Sequence, residues 1–150
     1  MTENLLQTAD ALPAVPKAAA DEYGTKRELL VAMINERMLE RPDIEALVGP
    51  DNLQMMKDNH ANHALFIESM LQNFNSEVLV NTVLWVFRVY RSRRFHLNYW
   101  AAQLNAWVEV LKKELSSQSA DAVLPLYAWM IVNIPHFTQL TDDGAGEDVA

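Results

Sequence analysis

His60 and His63 stand three residues apart in the stretch KDNHANHALFIESMLQNF. On a helix such positions are surface neighbours, so the pair has the spacing to share a metal ion or to handle a proton. The surrounding pattern argues against the metal. The sequence has no HExxH motif and no recurring ExxH, which removes the zinc-protease and di-iron bundle arrangements. Only Glu68, Glu109, His96 and His136 remain as further ligands, so no metal is assigned. Inward-facing, hydrogen-bonded histidines are the favoured reading. The alternative is a haem- or metal-binding protein using His63 or His96, the haem with Phe66, Trp85, Tyr99 and Trp100 as walls. Aromatic side chains at helical spacing ordinarily build core, which favours a domain without a cofactor.

Other chemistries find little support. With no cysteine there are no disulfides, thiolate sites or cysteine nucleophiles, as suits a reducing cytoplasm. None of the serines at 69, 76, 92, 116, 117 and 119 lies in a G-x-S-x-G turn, and the four glycines form no phosphate-binding loop. The sequence therefore predicts a protein that is not an enzyme. Arg88, Arg91, Arg93 and Arg94 in RVYRSRRFH form a candidate anion site beside Tyr90 and Phe95. No second basic run extends it, so nucleic acid is not expected, and the same arginines suit the negative end of a helix dipole.

These residues need helices to position them. From Thr25, a candidate cap, Leu30, Met33, Ile34 and Met38 recur at helical spacing until Pro42. PDIEALVG predicts a short helix ended by Gly49. Asp51 then caps a helix to about Phe74, with Met56, His60, His63, Ile67, Met70 and Phe74 on one stripe. Asn75 or Ser76 caps EVLVNTVLWVFRVYRSRR, whose apolar residues leave little polar circumference and predict the most buried helix. The next helix turns Leu97, Trp100, Leu104, Val108, Leu111 and Leu115 inward. In AVLPLYAWMIVNIPHF, Pro125 is expected at the start of the final helix and Pro135 near its end.

Of the formal net charge of −8, residues 1–24 carry Glu3, Asp10, Asp21 and Glu22 against Lys17, and residues 141–150 carry Asp142, Asp143, Glu147 and Asp148. The acidity thus belongs to the ends. The sequence predicts a flexible arm over 1–24, a helical domain over 25–140 and a disordered acidic tail over 141–150. It has neither a secretory pattern nor a run of ~20 apolar residues, so no membrane association is expected.

The segment from NHALFIESMLQNFNSEVLV through VLWVFRVYRSRRF to LNAWVEVL resembles the helical N-terminal sensory modules of RsbR-type stress regulators, over roughly residues 60–135. The shared features are His63 opening a helix, a break at Asn73 to Ser76, the arginine-ended apolar helix, and a following helix with Leu104, Trp107 and Leu111. The resemblance implies a non-haem, globin-like fold that binds a small ligand or partner helix and signals through a dimer face. Unlike in those regulators, no second domain for output is expected within these 150 residues.

Together these readings give an all-α fold, a single globin-like or helical-bundle domain of about five to six helices with flexible acidic termini. Its expected function is that of a cytoplasmic, homodimeric sensory or regulatory domain of bacterial type, binding a small ligand or protein partner. The candidate pocket comprises His60, His63, Trp85, Tyr90, Tyr99 and Trp100. A structural adaptor is the further alternative, using an exposed Trp107 or Trp129.

Overall fold

The computed structural model describes residues 2–142, and every regular element among them is a helix. There are eight, against the expected five to six. The additional elements come from the N-terminal segment and from the division of the last helix into two.

The segment expected to be a flexible arm is mostly helical. In α1 (Thr2–Asp10), Leu5 and Ala9 fall one turn apart and are both buried, and the helix lies along α5 (Ser76–Ser92). The Trp129 indole N–H donates to Thr8 Oγ1 over 2.9 Å, fastening α1 to the far end of the chain. Pro16 adopts extended backbone immediately before α2 (Lys17–Leu39), so the helix begins before the alanine run and passes through Thr25, the expected cap. Gly24 is inside α2, where a Cβ would collide with the Glu68 carboxylate of α4 (Leu53–Gln72). Its missing side chain thus serves a close helix crossing, which the Arg27–Glu68 ion pair bridges.

The middle of the chain follows the expected punctuation. α3 (Ile44–Val48) ends at Gly49, whose φ of 94° lies where glycine is favoured. Asn52, and not Asp51, sits at the N-cap of α4; its side chain donates to the Val48 and Arg93 carbonyls instead of capping. Asn75 Oδ1 accepts from Val78 N at the start of α5, as expected.

In α6 (Asn98–Glu114) the buried stripe is rotated from the expected one and runs through Tyr99, Trp100, Gln103, Leu104, Trp107, Val110 and Leu111. α7 (Ser117–Val132) starts at the Ser116 cap, so Pro125 lies within the helix and not at its start. The first turn is anchored by Glu22 of α2, which accepts from Ser116 N, Ser116 Oγ and Ser119 Oγ. Those bonds, led by the Ser116 N–H, hold the Glu22 carboxyl at about 2. Pro135 opens α8 (Ile134–Leu140) instead of ending α7.

α2, α4, α6 and α7 form the body: α2 packs against the other three, and α6 against α7. α5 lies to one side, with its closest backbone approaches to α1 and α8. Two aromatic groups fill the interior. Trp107 is central to the first, with Tyr23, His63 and Tyr127 around it. The second joins Phe87 of α5 to Trp100 of α6 and Phe137 of α8. No helix among the described residues is long and apolar enough to cross a membrane. Of the expected acidic tail, Thr141 is buried and donates to the Phe137 carbonyl, whereas 143–150 lie outside the described residues.

Candidate functional site

A cleft of about 300 Å³ lies between α5 and helices α4 and α6, lined also by Met130 of α7 and Phe137 of α8. Its walls are set by helical spacing. Residues 59, 62, 63, 66 and 67 of α4 face residues 82, 83, 86, 89 and 90 of α5, while Trp100, Gln103 and Leu104 of α6 contribute the floor. Apolar cavities of about 150 Å³ accept benzene, so this cleft has room for a small organic molecule. Exposed Asn62 and Trp85 mark its mouth.

No Asp, Glu, Lys or Arg lines the cleft. Its polar groups gather at the floor around Asn59, whose Oδ1 accepts from the Tyr99 hydroxyl at 2.7 Å and from Gln103 Nε2 at 3.2 Å. The Asn59 side chain also reaches the Tyr90 hydroxyl. Gln103 is fully buried, and its Oε1 has no hydrogen-bond partner among the described residues. Burial raises the Tyr90 and Tyr99 hydroxyls above their ordinary range, so both stay protonated at neutral pH.

The two histidines that raised the question of chemistry have separate environments. His60 is fully buried and does not line the cleft. Its Nδ1 meets Asn35 Oδ1 at 2.6 Å; since that oxygen accepts, Nδ1 carries the hydrogen and Nε2 is left as an unpartnered acceptor. His63 is half-buried, lines the cleft, and contacts the Tyr127 hydroxyl through Nε2 at 2.8 Å. Tyr127 in turn meets the Tyr23 hydroxyl at 2.8 Å. Donation from Tyr23 to Tyr127 to His63 gives each hydroxyl hydrogen an acceptor and leaves His63 neutral. Burial lowers His60 to about 4 and His63 to about 3, with the neighbouring His60 adding to the effect at His63.

The structure places the candidate residues differently from one another. His63, Trp85, Tyr90 and Trp100 line the cleft, but His60 and Tyr99 lie behind it and act through Asn35 and Asn59. His63 is in the middle of α4, not at a helix start. For a haem, His63 has Nε2 engaged by Tyr127, and His96 is exposed with Nδ1 accepting from Asn98 N. No group of three or more His, Asp or Glu side chains among the described residues has the arrangement of a metal site.

The four arginines do not converge. Arg88 donates to the Leu140 carbonyl; Arg91 donates to the Thr138 carbonyl and to Thr141 Oγ1 and pairs with Asp142. Both therefore cap the end of α8, where carbonyls lack helical partners. Arg93 and Arg94 are exposed past the end of α5. Trp107 and Trp129 are buried, which removes both from the proposed adaptor surface. The exposed tryptophan is Trp85, at 63 %, on the helix expected to be most buried.

Asn59 and Gln103 are not among the candidates the sequence offers, since a lone amide on a helix ordinarily reads as a solvated residue. Their signal is the spacing Tyr99–Gln103–Trp107, which puts an amide between two aromatics on one helical stripe.

The fold and site define a class: an all-helical domain with a cleft, free of charged side chains, between α5 and helices α4 and α6. No protein-family model matches the sequence, and comparisons with curated proteins and with solved structures gave no match.

Proposed function

We propose that the protein is a non-enzymatic sensory or regulatory helical domain that binds a small ligand in the cleft under α5. The observation carrying this reading is the roughly 300 Å³ apolar space whose two sides belong to different packing groups, α4 and α6 on one and α5 on the other. A molecule held there touches both groups, and its occupancy biases how α5, with α1 and α8, sits on the body. The chemistry of the lining supports binding more than catalysis. His63 has too low a pKa to act as a base poised near neutrality, and Thr82 and Tyr90 contribute the only hydroxyls to the walls. The likeness of the central segment to RsbR-type sensory modules, with their globin-like fold, fits the same role.

Thermal unfolding with 1-octanol tests the proposal. A ligand at a hundredfold excess over its Kd stabilises the native state by about 2.7 kcal/mol, a rise of roughly 5–10 °C for a chain of this size. The wild type should show this rise, and a Val83→Trp variant, which fills the cleft, should not. No rise in the wild type, together with no change in tryptophan emission, would overturn the reading.

A further inference from the structure

Resting on the cleft being a binding site, the geometry points to its ligand class: an uncharged aromatic molecule of about two fused rings, in ring contact with Phe66 of α4 and Trp85 of α5.

The first observation is that the lining holds two aromatic side chains without ring partners. Phe87 stacks on Trp100 with centroids 4.6 Å apart and meets Phe137 edge to face at 5.2 Å, and Tyr90 meets Trp100 at 5.7 Å. These four rings satisfy one another. Phe66 and Trp85 also line the cleft, one on each wall, and neither has a ring contact among the described residues. Phe66 is half-buried and Trp85 is exposed, so both present apolar ring surface that an occupant can cover. The face of an aromatic ring is negative and its edge positive, so an aromatic guest gains from each such neighbour beyond the area it covers. A saturated guest of the same shape gains the area alone.

The second observation is size. An apolar cavity of about 150 Å³ holds benzene, and this cleft is twice that, at about 300 Å³. It therefore suits a molecule of roughly a dozen non-hydrogen atoms, the size of two fused rings. The third is the absence of compensating charge. No Asp, Glu, Lys or Arg lines the cleft, and the lining histidine, His63, is engaged with Tyr127 and held at about 3, so it is neutral. A carboxylate, phosphate or ammonium drawn in with the rings would lose hydration and meet no counter-ion. Both walls thus favour a guest that is apolar, flat and uncharged.

The test measures, by calorimetric titration of the whole protein at pH 7, the affinities for 2-naphthol, decahydro-2-naphthol, 2-naphthoate and 1-octanol. 2-Naphthol should bind at least about tenfold more tightly than 2-naphthoate, which has the same rings and a charged group. Trp85→Leu and Phe66→Leu should each lower the affinity ratio of 2-naphthol to decahydro-2-naphthol by about two- to tenfold, as expected for the loss of one ring contact, while octanol still binds. Trp85 is exposed, so its variant carries the comparison if Phe66→Leu is not helical by circular dichroism. Octanol binding without 2-naphthol binding, 2-naphthoate as tight as 2-naphthol, or a ratio unchanged by Trp85→Leu overturns the ligand class while the cleft remains a binding site. Failure of all four probes to bind overturns the cleft reading itself, and this inference with it.

Discussion

Lowering the pH from about 7.5 to 4.5 should destabilise the fold by about 5 kcal/mol, and the two α4 histidines should account for that loss. Burial holds His60 at about 4 and His63 at about 3, against an ordinary value of 6.5. Both folded-state pKa values are depressed, so the unfolded chain binds protons first as pH falls below 6.5. Stability is therefore fully present above that value and declines as pH falls toward the folded-state values. Each histidine contributes about 1.4 kcal/mol per pH unit over this interval, or about 2.5 kcal/mol by pH 4.5. The combined loss is comparable to the whole stability of many domains, roughly 5–15 kcal/mol. The Glu22 carboxylate clamp belongs to another window: held at about 2, it loses its contribution only as pH falls below its ordinary 4.5. Urea unfolding followed by circular dichroism across this pH range measures the slope directly. The His60→Gln, His63→Gln double variant starts less stable, having lost the contacts to Asn35 and Tyr127, but its stability should be nearly flat down to pH ~5. A wild-type profile as flat as the variant's, or a variant as steep as the wild type, would refute the lowered pKa of the two rings.

Four further outcomes test other parts of the structure. Trp85 is 63 % exposed while Trp100, Trp107 and Trp129 are buried, so Trp85→Phe should remove most of the emission quenched by acrylamide; persistent quenching would mean that α5 is misplaced. Leu5→Ala should cost about 2–5 kcal/mol in urea unfolding, the loss expected of a core leucine, whereas a flexible N-terminal arm would lose nothing. Asn59→Ala strands the Tyr99 hydroxyl and Gln103 Nε2 together and should cost more than about 2 kcal/mol; Tyr99→Phe, which leaves Asn59 bonded to Gln103, should cost less. Gly49→Ala places a side chain at φ 94° and should lower stability by about 1–2 kcal/mol, read as a shift of the thermal midpoint with unchanged helicity.

The all-helical class was decided locally. Apolar residues at helical spacing, Asn75 as a cap, Pro42 and Gly49 as stops, and the boundary around Asn73 are features of a few consecutive residues, and the folded chain keeps them. The inward direction of His60 was legible for the same reason, because it shares a stripe with Met56, Ile67 and Met70. Elsewhere the local signal was overruled by a distant partner. Gly24 is a poor helix former by itself, yet it lies inside α2, where Glu68 of α4 occupies the space a Cβ would need. Pro125 reads as a helix start until Glu22 and Ser116 are seen to anchor the helix earlier. The N-terminal segment has the composition of an arm, yet Leu5 and Ala9 find α5, and Trp129 finds Thr8.

The cleft belongs wholly to tertiary structure. α5 is apolar around most of its circumference, so its sequence does not specify which face meets the core, which meets α1 and α8, and which borders open space. Packing α5 on α1 and α8 leaves Trp85 outside and the Asn59–Gln103 pair facing a cavity. Periodicity determines that a helix has a buried side. Which helix covers it, and whether the fit is close or leaves a space, depends on the volumes and angles of elements far apart in the chain.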